Sequence, residues 1–253
     1  MKNSNRLRQL LIAGQPAIGA FVMIPSPDIV EMVGYAGFDF VLLDVEHGRF
    51  NTETLEHLIR AADSVDLPSV VRLPNNPSLI LHTLESGCLG VQVSMVGSRE
   101  DASSVVQTSR YYPEGMRGAA FFTRAGNYGT RGVEKSIEFA NKEILVAIQI
   151  EGIKGVQNLP EILKVKGIDI VFIGPMDLSQ SLGLPGQTNH PKVQETIEMV
   201  ASQIIGAGRI PGIFAADSNA ARKCIAQGFK YITIGTGAIF KSLQELVKQS
   251  RNE

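Results

Sequence analysis

Short apolar runs alternate with longer stretches in which apolar side chains recur every three or four residues, from near the start of the chain to near its end. The strand-like runs are Ile18 to Met23, Phe38 to Asp44, Ser69 to Leu73, Val91 to Met95, Ile144 to Ile150, Ile168 to Ile173, Ile210 to Phe214 and Tyr231 to Ile234. Phe40-Val41-Leu42-Leu43 and Ile170-Val171-Phe172-Ile173 show no polar alternation, the pattern of parallel strands covered on both faces. Between the runs lie helical patterns at Thr52 to Ala62, Pro77 to Ser86, Ser98 to Arg110, Pro191 to Ala207 and Ser218 to Gln227. Asn51 or Thr52 before Glu53, Pro77 in a first turn and Asp217 or Ser218 before an Ala-rich face are start signals. Eight strand-then-helix units in 253 residues predict an α/β fold, a (β/α)8 TIM barrel forming a single domain over 1–253. An open doubly wound sheet would need fewer strands, and its GxGxxG turn after the first strand is absent.

Two segments depart from this rhythm. Val96 to Asn141 holds an extra apolar run, Gly118 to Phe122, among Pro113, Gly115, Gly126 and Gly129. It predicts a long excursion between strands 4 and 5, lying over the barrel mouth, rather than a ninth strand. At the start, Lys2, Arg6 and Arg8 precede Leu10-Leu11-Ile12-Ala13, and Gly14-Gln15-Pro16 ends the run too early for a signal peptide. An amphipathic lead-in helix is expected.

Charge and cysteine content narrow the partners. With 24 basic against 25 acidic residues and no basic stripe, the chain lacks what displaces counterions from nucleic acid. No stretch reaches the ~18 apolar residues of a membrane span. Cys88 and Cys224 form neither a disulfide framework nor a metal cluster, and read as buried thiols in a reducing compartment. The expectation is a soluble, cytoplasmic protein with no nucleic-acid or membrane partner.

In such a barrel chemistry sits where strands end, so the polar residues there are the candidates. They are Asp44 to Arg49, Arg72-Leu73-Pro74, Gln149-Ile150-Glu151-Gly152 and Gly174-Pro175-Met176-Asp177. Gln149 and Glu151 share one strand face, directed into the mouth. Glu151 and Asp177 end consecutive strands, which lie about 4.8 Å apart, so both carboxylates can reach one point. Alone, Asp177 reads as a helix cap and Glu151 as a rim ion pair. Together they suit a hard divalent cation such as Mg²⁺ or Mn²⁺ that keeps open positions. His47 is the one histidine of four at a strand end, and Asp44, three residues earlier, is expected to orient its imidazole as a general base. Arg72 interrupts a buried run, so it needs an anion, either a protein carboxylate or a substrate oxyanion. No lysine interrupts an apolar strand, which disfavours imine chemistry, and no GxSxG elbow exists. Gly235-Thr236-Gly237 after the last strand suits either a phosphate or a tight turn.

Taken together, Phe38 to His47, Val71-Arg72-Leu73-Pro74, Tyr112-Pro113-Glu114-Gly115-Met116-Arg117-Gly118, Gln149-Ile150-Glu151 and Val171 to Ser179 resemble the HpcH/HpaI aldolase family. The resemblance runs from about Gly19 to Phe240. It implies a class II pyruvate aldolase acting on 4-hydroxy-2-oxoacids, including 2-keto-3-deoxy sugar acids, and releasing pyruvate and an aldehyde. It implies Glu151 and Asp177 as ligands of Mg²⁺, Mn²⁺ or a similar ion, with Co²⁺ and Zn²⁺ as alternatives. Pyruvate would chelate that ion, with Gln149 beside the metal and the backbone N–H groups near Met176 and Asp177, after Gly174-Pro175, holding the carboxylate. Arg72 would steady the enolate oxygen, and His47 with Asp44 would serve as base through a metal-bound water. A homo-oligomer, often a hexamer, that exchanges its last helix is also implied. Phe121 to Gly129 lies where the family varies, so the aldehyde stays open. Oxaloacetate decarboxylation, a CoA-thioester lyase, a phosphate-sugar barrel and a non-catalytic barrel that binds a small acid are the alternatives.

Overall fold

A computed structural model describes residues 4–251; Lys2 of the lead-in segment and the ends of the 1–253 domain lie outside the described residues. Eight strands form the barrel: β1 (Ala17–Val22), β2 (Phe40–Asp44), β3 (Ser69–Leu73), β4 (Gly90–Val93), β5 (Leu145–Ile150), β6 (Ile170–Ile173), β7 (Ile210–Ala215) and β8 (Tyr231–Gly235). They pair in parallel and in chain order, and β1 against β8 closes the ring. The early helices are α1 (Arg6–Ile12), α2 (Pro27–Tyr35), α3 (Thr52–Ser64), α4 (Pro77–Glu85), α5 (Arg99–Ser109) and α6 (Val133–Glu143). The later ones are α7 (Ile153–Gln157), α8 (Leu159–Ile162), α9 (Pro175–Ser181), α10 (Pro191–Gly206), α11 (Ser218–Ala226) and α12 (Gly237–Arg251). This is the (β/α)8 barrel that the hydrophobic pattern predicts.

Every residue of β2, β3, β5 and β6 is buried, which is why their sequences do not alternate. One set of side chains packs outward under the helices, with Val41, Leu43, Val71, Val91, Ile148 and Val171 in one continuous core. The other set fills the barrel with Phe40, Leu42, Val70, Leu145, Phe172 and Tyr231. The Phe40 and Tyr231 rings stack with centroids 4.5 Å apart. Gly19 makes room for this, since a Cβ there would meet the Phe40 ring at 2.3 Å.

Helix starts follow side-chain capping. Asn51 accepts from the Thr54 N–H at 2.7 Å and Asp217 from that of Ala220 at 2.9 Å, caps of the kind that stabilise a helix by about 1 kcal/mol. The lead-in helix α1 closes the base of the barrel, burying Leu7 and Leu11. Asn5 pins it by donating to the carbonyls of Leu89 and Glu143, and Arg8 pairs with Asp169 at 2.7 Å.

The excursion between strands 4 and 5 lies elsewhere than expected. It follows α5, not β4, so the chain has already returned to the N-terminal end of the strands when the excursion begins. Arg124 donates to the Ser86 carbonyl and pairs with Asp63, and the Ala125 N–H donates to the Glu85 carbonyl. These are the C-terminal ends of α3 and α4, so the segment covers the base, not the mouth. Gly118 to Phe122 forms no strand; between α5 and α6 the regular structure is a single turn of 3₁₀ helix at Asn127–Gly129. Cys88 and Cys224 are buried and unpaired, as expected. No helix among the described residues is long and apolar enough to cross a membrane.

Candidate active site

The mouth of the barrel is built from strand register. β2 and β3 align Asp44 with Arg72, and β3 and β4 align Arg72 with Gln92. The Arg72 guanidinium therefore meets Asp44 edge-on. Its Nε donates to Oδ1 at 2.8 Å and its Nη2 to Oδ2 at 2.7 Å. Both residues are buried, and the guanidinium lies 4.7 Å over the Phe21 ring. This fork-to-fork contact leaves the remaining N–H groups of Arg72 toward a cavity of about 500 Å³ that Arg72 lines with His47, Gln149, Phe172 and Asp177.

The expectation that Asp44 orients the His47 imidazole is corrected by this arrangement. Besides holding Arg72, Asp44 Oδ1 accepts the backbone N–H groups of Glu46 at 3.1 Å and His47 at 3.4 Å. Asp44 thus shapes the turn that presents His47, while its carboxylate is spent on Arg72. His47 itself is exposed at the cavity wall.

Gln149 and Glu151 share a face, as the two-residue period requires. The Gln149 side chain accepts from Gln92 at 2.8 Å and donates to Glu151 Oε2, while Glu151 Oε1 accepts the Met95 N–H at 2.8 Å. Met95 adopts φ +55° to aim that N–H, a conformation costing a non-glycine residue on the order of 1–3 kcal/mol. Gly174 supplies the room, because a Cβ there would stand 2.6 Å from Glu151 Oε2 and 3.0 Å from Gln149 Nε2.

Glu151 is 3% exposed and has no cationic partner among the described residues, which removes the rim ion pair as its explanation. Burial pushes its carboxyl up to about 7, the charges of Asp177 and Glu46 push the same way, and the Met95 and Gln149 hydrogen bonds oppose them. Asp177 stands in the first turn of α9, whose N-cap Gly174 makes no side-chain capping bond, and it faces the cavity. Among the described residues no three His, Cys, Asp or Glu side chains gather as a ready metal cage. The donor set is two carboxylates with open positions, one buried and one exposed to the cavity, that repel each other. That fits a hard divalent cation, which would relieve the repulsion and take further oxygens from water or substrate.

Two contributors had no role assigned from sequence. Glu46 accepts from the Ser94 hydroxyl at 2.7 Å and lies 3.5 Å from the Arg72 Nε, so its carboxylate joins the acidic cluster. Gln92 is the polar residue in the buried run Gly90–Val93, and that lone polarity was the available signal. Lys223 of α11 also reaches the cavity wall, but it is exposed and lacks the low-dielectric setting an imine-forming lysine needs. In the Gly235-Thr236-Gly237 turn the Thr236 N–H is already donated to the Phe21 carbonyl at 3.1 Å, which disfavours it as a phosphate cradle.

Comparison with known proteins places the chain in a family. Residues 17–240 match the model of the HpcH/HpaI aldolase/citrate lyase family. A 2-keto-3-deoxy-L-rhamnonate aldolase of Klebsiella pneumoniae is 38% identical over 92% of this chain and 87% of its own. A 5-keto-4-deoxy-D-glucarate aldolase of Salmonella paratyphi C is 35% identical over 96% of this chain and 95% of its own. The crystal structure of a citrate synthase superposes with a TM-score of 0.89 at 32% identity, covering 98% of each chain. Aldolases of this family are generally dependent on a divalent metal. With the family model spanning the whole barrel, the chain belongs to the HpcH/HpaI aldolase/citrate lyase family.

Proposed function

We propose that this protein is an aldolase that splits a 4-hydroxy-2-oxoacid of the 2-keto-3-deoxy sugar-acid type into pyruvate and an aldehyde. The observation that carries the reading is Glu151, buried without a cationic partner and acted on by the charge of Asp177, which lines the cavity together with Arg72 and His47. Glu151 and Asp177 would hold the divalent cation, with Mg²⁺ or Mn²⁺ favoured over Co²⁺ or Zn²⁺ by the all-oxygen donor set. Such a cation supplies Lewis-acid stabilisation of the charge that develops on the 2-oxo oxygen when the C3–C4 bond breaks.

The chain's own groups do the rest. Arg72, fixed by Asp44, points its remaining donors at that oxygen and is pre-organised for a negative charge. Gln149, tied to Gln92, holds Glu151 in place. The Gly174-Pro175-Met176 turn opens α9, and the unpaired N–H groups of Met176 and Asp177 receive the substrate carboxylate. His47 takes the proton from the C4 hydroxyl, and its exposed place at the wall gives room for an aldehyde chain.

The α12 helix buries none of its side chains and exposes Ile239, Phe240, Leu243, Leu246 and Val247. We infer that a second copy of this chain covers this stripe in a homo-oligomer, a hexamer being the assembly the family resemblance implies; light scattering at micromolar protein tests it. The two unpaired thiols support a cytoplasmic site of action.

Deuterium exchange of the pyruvate methyl group, followed by NMR with Mg²⁺ or Mn²⁺ and then with chelator, tests the catalytic reading. Exchange that stops with chelator is the expected result. No exchange with any divalent ion overturns it. The citrate synthase likeness favours a second reading, carbon–carbon bond chemistry on oxaloacetate; adding oxaloacetate in place of the hydroxyoxoacid distinguishes the two.

A further inference from the structure

The base of the barrel holds a second cavity, larger than the mouth, at about 870 Å³. Its walls come from the N-terminal side of β3, β4 and β5, where Asp66, Gly87 and Ile144 lie, and from the excursion around Tyr111 to Arg131. Four arginines line it, Arg6, Arg117, Arg124 and Arg131, against two carboxylates, Asp63 and Asp66. Arg124 is paired with Asp63, and Arg131 lies 4.0 Å over the Phe139 ring.

Arg117 differs from these. It is 6% exposed, and its guanidinium makes no hydrogen bond or ion pair with the described residues; it stacks on the Tyr111 ring at 4.7 Å, and the carboxylate of Glu85 acts on it only through space. Its Nε is buried without an acceptor. Seven positions earlier, Arg110 is equally buried and its Nε too lacks an acceptor, but its terminal nitrogens are engaged, with three main-chain carbonyls of the α6 end and Asp169 at 2.9 Å as acceptors. A buried guanidinium normally has such a set, because removing its charge from water without a counter-charge costs several kcal/mol. Arg117 has a cavity in its place.

We propose that this basal cavity is a binding site for a small oxyanion, a phosphate or a carboxylate, seated on the planar fork of Arg117. The volume falls within the range of small-metabolite sites, and a guanidinium fork matches the two-oxygen edge of either group. The surplus of arginines over carboxylates raises the local concentration of such anions. The site lies at the opposite end of the barrel from Arg72, so its ligand does not compete with the substrate.

Titration calorimetry on the full chain tests this, with inorganic phosphate and malonate as separate probes. One site per chain is expected, weakened at least tenfold by Arg117→Met and unchanged by Arg72→Lys. Phosphate binding with malonate silent assigns the phosphate class, and the reverse assigns carboxylates. Thr130→Glu, on the exposed rim of the same cavity, gives an independent reading if Arg117→Met does not fold, since the added carboxylate is expected to weaken binding by a similar factor. Binding abolished by Arg72→Lys but retained in both basal variants overturns the proposal, as does the absence of binding by either probe.

Discussion

The two ends of the barrel each bury an arginine, and they treat it in opposite ways. At the mouth, Arg72 is clamped by Asp44 across neighbouring strands, and the uncompensated charge there is the carboxylate of Glu151. At the base, Arg117 makes no ion pair with the described residues, Glu85 acting on it only through space, and the charge without a direct partner is its own. An unpaired carboxylate calls for a cation and an unpaired guanidinium for an anion. The sign of the missing charge thus distinguishes a metal site from an anion site within one fold.

That contrast can be attacked from its strongest side first. Asp177→Asn removes an exposed carboxylate with little consequence for the fold, and we expect the retained divalent metal to disappear and turnover to fall by about 10³-fold. Metal analysis after dialysis, alongside steady-state kinetics, checks both; full activity would end the case for a cation between Glu151 and Asp177. Arg72→Lys keeps the charge but loses the fork, and a fall of about 10²- to 10³-fold in kcat is expected from the lost oxyanion donor. His47→Ala should slow aldol cleavage about 10²-fold while sparing methyl-proton exchange into pyruvate, which needs no C4 hydroxyl. Equal loss of both reactions would remove His47 from the role of base.

The smallest effects compare the buried arginines as structural elements. Arg110→Met strands Asp169 and three carbonyls, and a loss of about 3–5 kcal/mol in denaturant unfolding is expected. Arg117→Met in anion-free buffer should leave stability unchanged or raise it, because it removes a buried charge and breaks no ion pair. Equal losses at the two positions would mean that Arg117 is held by more than the Tyr111 ring.

The barrel itself was legible because each of its strands is a short apolar run, and β3 was located to the residue at Ser69–Leu73. Glu151 and Asp177 were legible for the same reason: strand ends are local, and consecutive strands are neighbours. What escaped was set by register or by direction. Asp44 sits three residues from His47 in sequence, yet its partner is Arg72, 28 residues away and directly across the sheet. The excursion carries the glycines and prolines of a loop over either face. Only its position after a helix, not after a strand, decides that it covers the base. Arg117 could be read as part of a motif, but its lack of a partner is a property of packing and leaves no trace in the chain.

Gly174 has a consequence for how the substrate range of such an enzyme can drift. Every amino acid other than glycine carries the Cβ that would press on Glu151 Oε2, so each coding change at this codon displaces the carboxylate that Met95 and Gln149 hold. Thr188 and Asn189 line the same pocket without that obligation. Substitutions that reshape the chamber are therefore expected to be tolerated at Thr188 and Asn189 and not at Gly174.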